Sequence, residues 1–134
     1  MGEVKAELSK RNKYYIPKHR YYELKHFCLQ YPEWKKQYLM EGFKMEAGLI
    51  RAKRNNPQNR PVEIASFSRG DILEKLDKVE SCCRLADPAL SKWLLLSVTE
   101  GVPFTRLKMI YDIPCERDMF YDRYRRFFWL LDRR

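Results

Sequence analysis

The sequence predicts an all-α fold, a small bundle of about six helices that ends in a helix-turn-helix unit. Apolar residues recur every three or four positions in successive segments, and no segment shows the alternation of a half-buried strand. Prolines and glycines separate these segments. At 134 residues with 45% hydrophobic composition, the chain can bury one core but is too short for two large domains. We expect two helical lobes: a basic, aromatic lobe with a linker at 1–60, and the lobe that carries the helix-turn-helix at 61–134.

The first lobe is predicted to contain two helices and the linker. Residues 18–31 carry an apolar stripe at helical spacing, and Pro17 suits the first turn of that helix. Pro32 marks a boundary or kink, after which residues 33–52 form a second helix. Residues 53–61 are polar apart from two prolines, a composition typical of a linker.

Two helices begin the second lobe. The segment 68–71 is close to a capping box, with Ser first and Asp last, and it precedes apolar residues at helical spacing over 70–86. Asp87 and Pro88 then supply an N-cap followed by a proline at the first helical position. The strongly apolar helix that they start is expected to end at Gly101.

A short helix and a longer one complete the predicted unit. Pro103 can open the short helix, and Pro114 ends it because proline disfavours helical geometry in the residue before it. The last helix is expected to begin at Cys115 or Glu116 and to run to about residue 131. The residues predicted to face inward are Phe104, Leu107, Ile110 and Tyr111 in the short helix and Phe120, Tyr124, Phe127 and Leu131 in the last.

The opposite face of the last helix is the candidate DNA-binding surface, because a helix, a glycine turn, a short helix, a tight turn and a longer helix follow the order of a DNA-binding unit. Arg117 and Arg125 are placed to meet guanine edges or phosphates, whereas Arg123 and Arg126 suit phosphates. The full predicted DNA-binding set is Arg106, Lys108, Arg117, Asp118, Tyr121, Asp122, Arg123, Arg125 and Arg126.

Two carboxylates on this face argue for an alternative interpretation. Asp118 and Asp122 repel phosphate unless they accept a hydrogen bond from cytosine or orient neighbouring arginines. In the alternative, the last helix is an ordinary amphipathic helix whose surface carries local ion pairs, from Asp122 to Arg125 and to Arg126.

Charge favours a polyanionic partner such as double-stranded DNA. The net charge is +9, with 14 Lys and Arg against 6 Asp and Glu in residues 1–60, 5 against 7 in residues 61–101, and 8 against 5 in residues 102–134. Both ends are therefore basic, and cations laid on phosphates release counterions. A Lys-rich surface that contacts only water remains the alternative.

The sequence argues against a membrane protein, a secreted protein, a metal-binding protein and an enzyme. It has no apolar run long enough to span a membrane and no signal peptide at its start, so we expect a cytosolic protein without a membrane partner. The four cysteines lack CxxC spacing and are interpreted as reduced and mostly buried. His19 and His26 lack the spacing of zinc ligands, and no nucleophile has a histidine at motif spacing, so we expect no metal, no cofactor and no enzyme.

The segments 90–107 and 113–131 together resemble the C-terminal unit of RinA/ArpU-type phage transcriptional regulators, which is itself similar to the promoter-reading region of sigma factors. The resemblance covers residues 87–134, and in it Gly101 matches the glycine after the first helix and Cys115 the Ser that caps the recognition helix. It implies a phage or prophage protein of a Gram-positive host that binds DNA and activates transcription, expected at late genes, with host RNA polymerase as a possible partner.

The N-terminal lobe leaves two roles open for its basic and aromatic clusters at 14–15 and 18–22. They can stack bases and contact phosphates, or they can pack against the C-terminal unit, which we favour because the apolar run 127–131 needs cover on more than one side. Two other functions also remain open. The chain can be a protein-interaction module, such as an anti-defence inhibitor or a polymerase-binding factor, or a DNA-packaging adaptor such as a small terminase subunit.

Overall fold

A computed structural model describes residues 10–54 and 69–134 of the chain. The regular secondary structure in these two ranges is entirely α-helical, which confirms the predicted all-α class. The predicted linker and the predicted capping box at 68–71 lie partly outside the described residues. The helices are α1 (Lys18–Leu29), α2 (Tyr31–Arg54), α3 (Arg69–Ala86), α4 (Ser91–Glu100), α5 (Phe104–Tyr111) and α6 (Arg117–Asp132).

Gln30 alone separates α1 from α2, so no loop lies between the two helices. Pro32 is the second residue of α2, where its missing N–H has no partner to lose within the helix. α1 directs Tyr21, Leu24 and Cys28 into the core. The predicted boundary near Pro32 is therefore present, although α2 begins at Tyr31.

The core is continuous from α1 to α6, with α3 and α6 packed side by side at its centre. The predicted inward stripe of α6 is buried as expected, and Phe128 joins it. An edge-to-face ring contact and a hydroxyl contact join α1 to α6: the Tyr21 ring lies 5.1 Å from that of Phe128, and its hydroxyl lies 3.2 Å from that of Tyr124. α6 is thus covered on two sides, by α1 and by α3.

The connection from α3 to α4 differs from the prediction. α4 begins at Ser91 instead of directly after Asp87, because the intervening residues form a turn in which the Leu90 N–H donates to the Asp87 carbonyl over 3.2 Å. The Asp87 carboxylate still accepts from the N–H of Ala89 at 2.9 Å and of Leu90 at 3.3 Å. Asp87 therefore caps the turn that leads into α4.

Gly101 ends α4 as predicted. Its φ of 69° lies in the left-handed region, which glycine adopts without a steric penalty, and its N–H donates to the Ser97 carbonyl. Within 10–54 and 69–134, no helix has both the length and the apolar composition needed to cross a lipid bilayer. All four cysteines are free and buried, in agreement with the sequence-based interpretation.

Candidate nucleic-acid interface

The turn between α5 and α6 sets the direction in which α6 leaves the bundle. Asp112 ends α5 in the left-handed region at φ 49°, and the buried Ile113 and Cys115 follow it. The Ile113 N–H donates to the Leu107 carbonyl, and the Lys108 ammonium donates to the Ile113 carbonyl over 3.2 Å. The turn is therefore held by buried side chains and by a lysine that stays exposed.

Cys115 does not cap α6, contrary to the role that the resemblance implies. Glu116 is the residue before the helix, and no side-chain hydrogen bond caps it. The Cys115 side chain is buried, and burial raises the pKa of its thiol. A sulfur held in the core is turned away from the free N–H groups of the helix start, so these groups remain available to solvent or to a ligand.

Arg117 is the first residue of α6 and is exposed. Its guanidinium lies 5.5 Å from the centre of the Tyr121 ring, a cation–π distance. The Tyr121 ring is half-buried, 5.2 Å from the Phe120 ring and 6.5 Å from the Phe104 ring. Tyr121 thus lies between the aromatic core and the exposed end of α6, and its ring contacts the Arg117 guanidinium.

Arg123 is partly buried and forms ion pairs with two carboxylates of the protein itself. Its Nε donates to Asp87 over 3.1 Å and its Nη1 donates to Asp122 over 2.5 Å. The hydrogen bond to Asp87 is the largest cause that raises the pKa of Arg123. The side chain therefore clamps the α3–α4 connection to α6 and is not held free for a phosphate.

The same clamp corrects the ion pairs of the alternative interpretation. Asp122 binds Arg123, its neighbour in sequence, instead of Arg125 or Arg126. The reason is that Asp87 draws the Arg123 guanidinium to a position within reach of Asp122.

Arg125 and Arg126 are half-buried on the outward side of α6. The Arg125 Nε is buried and, within the described residues, has no hydrogen-bond partner.

The predicted residues therefore fall into three groups. Spacing along α6 brings four of them onto one side of the helix, namely Arg117, Asp118, Tyr121 and Arg125, and places Asp122 and Arg126 next to them. Arg123 turns away, toward Asp87. Arg106 and Lys108 are exposed on α5, ahead of the turn.

The end of α5 departs from its predicted inward stripe. Phe104 and Leu107 are buried, but Ile110 is 64% exposed and Tyr111 is 49% exposed. With Met109 they form an exposed apolar group at the end of α5, and Met119 in the first turn of α6 is exposed as well. Only the first half of α5 packs against the core. The apolar spacing continues into the second half of the helix, where no other part of the described structure buries these side chains. Sequence reasoning missed this group because spacing alone does not show where a core ends.

A comparison of the chain with protein-family models, with curated proteins and with solved structures found no match. Within the described ranges, no group of three or more His, Cys, Asp or Glu side chains is arranged to hold a metal ion.

Proposed function

We propose that this chain is a DNA-binding transcription regulator of a phage or prophage, in which α5 and the first half of α6 contact duplex DNA. One observation carries the proposal. Residues 127–132 of α6 are fixed in the core, whereas residues 117–126 carry an exposed cation, Arg117, and a half-buried one, Arg125, on one side of the helix. A recognition helix needs this combination of a rigid base and free side chains at its N-terminal end.

The neighbouring groups fit the same role. The uncapped N–H groups at the start of α6 and the partial positive charge of a helix N-terminus favour a phosphate. Arg106 and Lys108 add exposed cations on α5, and Asp118 can accept from the amino group of cytosine. The net charge of +9 supplies long-range attraction to DNA.

The proposal is tested by selecting binding sites from randomised duplexes and then measuring affinity by fluorescence anisotropy. Arg117→Ala and Arg125→Ala are each expected to weaken binding about tenfold, the loss of one arginine–guanine contact. Arg84→Ala is the matched control, because Arg84 is exposed on α3 with only a 4.0 Å ion pair to Asp77. Affinity should also fall steeply with salt.

Two results would remove the proposal. One is the absence of any enriched duplex after selection. The other is an enriched duplex that Arg117→Ala and Arg125→Ala bind as tightly as the Arg84→Ala control does.

A second candidate function is a protein-interaction module, for example a factor that binds host RNA polymerase. The exposed apolar group at the end of α5 favours this candidate, since Met109 is 81% and Ile110 is 64% exposed. Such side chains contribute to protein–protein binding and add little to the affinity for DNA. Purified polymerase retained by the protein after nuclease treatment, but not by Met109→Glu with Ile110→Glu, would support this candidate. Retention that depends on nucleic acid would count against it.

A further inference from the structure

A groove between α2 and α4 lies apart from the α5–α6 surface. Its lining includes Pro32 and Leu39 from α2, and Leu95 and Leu96 from α4. Leu39 is 56% exposed, and the two α4 leucines are only partly buried. The groove therefore has an apolar floor formed by two helices and open to solvent.

Basic side chains border this floor. Lys35 and Lys36 line it from α2, and Lys92 lines it from α4. The Lys35 ammonium donates to the Tyr31 hydroxyl over 3.4 Å, and this hydroxyl in turn donates to the Glu80 carboxylate. Lys92 lies 4.4 Å from the centre of the neutral Trp93 ring. Glu100 is the acidic residue of the lining, against three lysines.

The apolar floor continues along α2 beyond the groove. Phe43 follows Leu39 by one helical turn on the same side and is 73% exposed, and Met40 is 52% exposed. The exposed apolar surface therefore extends over more than one turn of α2 into the groove and is larger than a single exposed leucine would provide. Its length suits a partner that is itself a helix.

We propose that this groove binds an acidic amphipathic α-helix of a partner protein. Apolar residues of the bound helix at intervals of about 3–4 positions would cover Leu39, Leu95 and Leu96, as in other helix-in-groove complexes. Its Asp and Glu residues would face the three lysines, which raises the association rate and selects against basic partners. The inference does not rest on the proposed DNA binding, because no residue of the α5–α6 surface takes part.

Nucleic acid fits this groove less well than a protein helix does. A phosphate backbone gains from lysines but not from a leucine floor, and Glu100 repels it. In the bound helix that we propose, both the floor and its border have complementary groups.

The test uses a displayed library of helical peptides with apolar residues fixed on one face and random residues elsewhere. Peptides selected by the full chain should be enriched in Asp and Glu, and their binding should fall at least tenfold in Leu39→Glu and in Lys36→Glu. The matched control is Leu73→Glu, since Leu73 is 49% exposed but lies on α3, outside the groove lining. Circular dichroism of each variant shows that the fold is retained.

The competing occupants give different results. Selected peptides that are neutral or basic, or that bind Leu39→Glu and Leu73→Glu equally, would overturn the proposal. Displacement of the peptides by a short mixed-sequence duplex, lost in Lys36→Glu, would identify the groove as a phosphate site instead. A dimer seen by light scattering and abolished by Leu39→Glu would identify the occupant as a second copy of the chain.

Discussion

The two halves of α6 are surrounded differently, although they belong to one helix. In the second half, α1 and α3 cover the helix, the Tyr14 ring packs 5.7 Å from that of Trp129, and Arg20 binds Asp132 over 2.6 Å. In the first half, Arg117, Asp118 and Met119 are exposed. The second half is therefore covered on several sides, whereas the first half buries Phe120 and Tyr124 on one side and leaves its other side open to a ligand.

Removing an aromatic ring from the second half should give the largest effect on stability. Phe128 is 1% exposed and makes edge-to-face ring contacts with both Tyr21 and Tyr124, so Phe128→Ala leaves a cavity between α1 and α6. We expect a loss of about 3–5 kcal/mol in the free energy of unfolding, measured by urea denaturation. Met119→Ala in the first half, where the side chain is 42% exposed, should cost no more than about 0.5 kcal/mol. Similar losses for the two variants would contradict the comparison.

Breaking the clamp between Asp87 and Arg123, which joins the α3–α4 connection to α6, should have an intermediate effect on stability. Asp87→Ala removes both the cap of the turn before α4 and the partner of Arg123. We expect a loss of about 1–2 kcal/mol, typical of a helix cap with a partly buried ion pair. Arg123→Ala should cost less, and a double-mutant cycle should show coupling between the two. If the cycle shows additive effects, Arg123 is not a clamp.

Alkaline pH should destabilise the fold, because two buried thiols, Cys28 on α1 and Cys83 on α3, would ionise. Burial is the largest cause that raises the pKa of Cys28 and of Cys83 above the ordinary value of 9.0. The stabilisation from each protonated thiol is fully present below that value and is lost as the pH rises toward the folded-state pKa, because the unfolded chain ionises first. Above about pH 9, the unfolding free energy should fall by up to about 1.4 kcal/mol per pH unit for each thiol. The slope should flatten in Cys28→Ala with Cys83→Ala; an unchanged slope would assign the loss to other groups.

Arg117→Ala should have the smallest effect on stability and a clear effect on DNA binding. Arg117 is exposed and contacts only the Tyr121 ring, so we expect a loss below about 0.5 kcal/mol in the free energy of unfolding. Thermal unfolding beside a DNA-binding assay measures both effects on one sample. A large drop in the melting temperature would show that the exposed side of the first half of α6 also carries stability.

The helices and the inward stripe of α6 followed from the sequence because they depend on local order. Gly101 ends α4 through its own φ, and Phe120, Tyr124 and Phe127 share one face by spacing alone. The packing of Tyr14 and Tyr21 on α6 was also expected, since the apolar run 127–131 needed cover. The helix end at Gly101 and the shared face of α6 need no knowledge of distant partners, whereas the packing of Tyr14 and Tyr21 was inferred from the composition of α6.

The side chains of the site were harder to predict because their partners are far away in sequence. The sequence predicts that Arg123 is a surface arginine, whereas the fold places it beside Asp87, 36 positions earlier. The spacing of Ile110 and Tyr111 predicts core residues, but Leu107 is the last residue of α5 that the core buries. The sequence therefore indicated which face of α6 is exposed, but not which of its arginines are already engaged.

Amide NMR with a selected duplex added in steps tests the central claim most directly, because it shows which half of α6 meets DNA. We expect shifts confined to α5, the turn and residues 117–126, with residues 127–132 and the α2–α4 groove unchanged. Shifts centred on α2 and α4, or the same shifts in Arg117→Ala with Arg125→Ala, would contradict the assignment of DNA binding to the exposed half of α6.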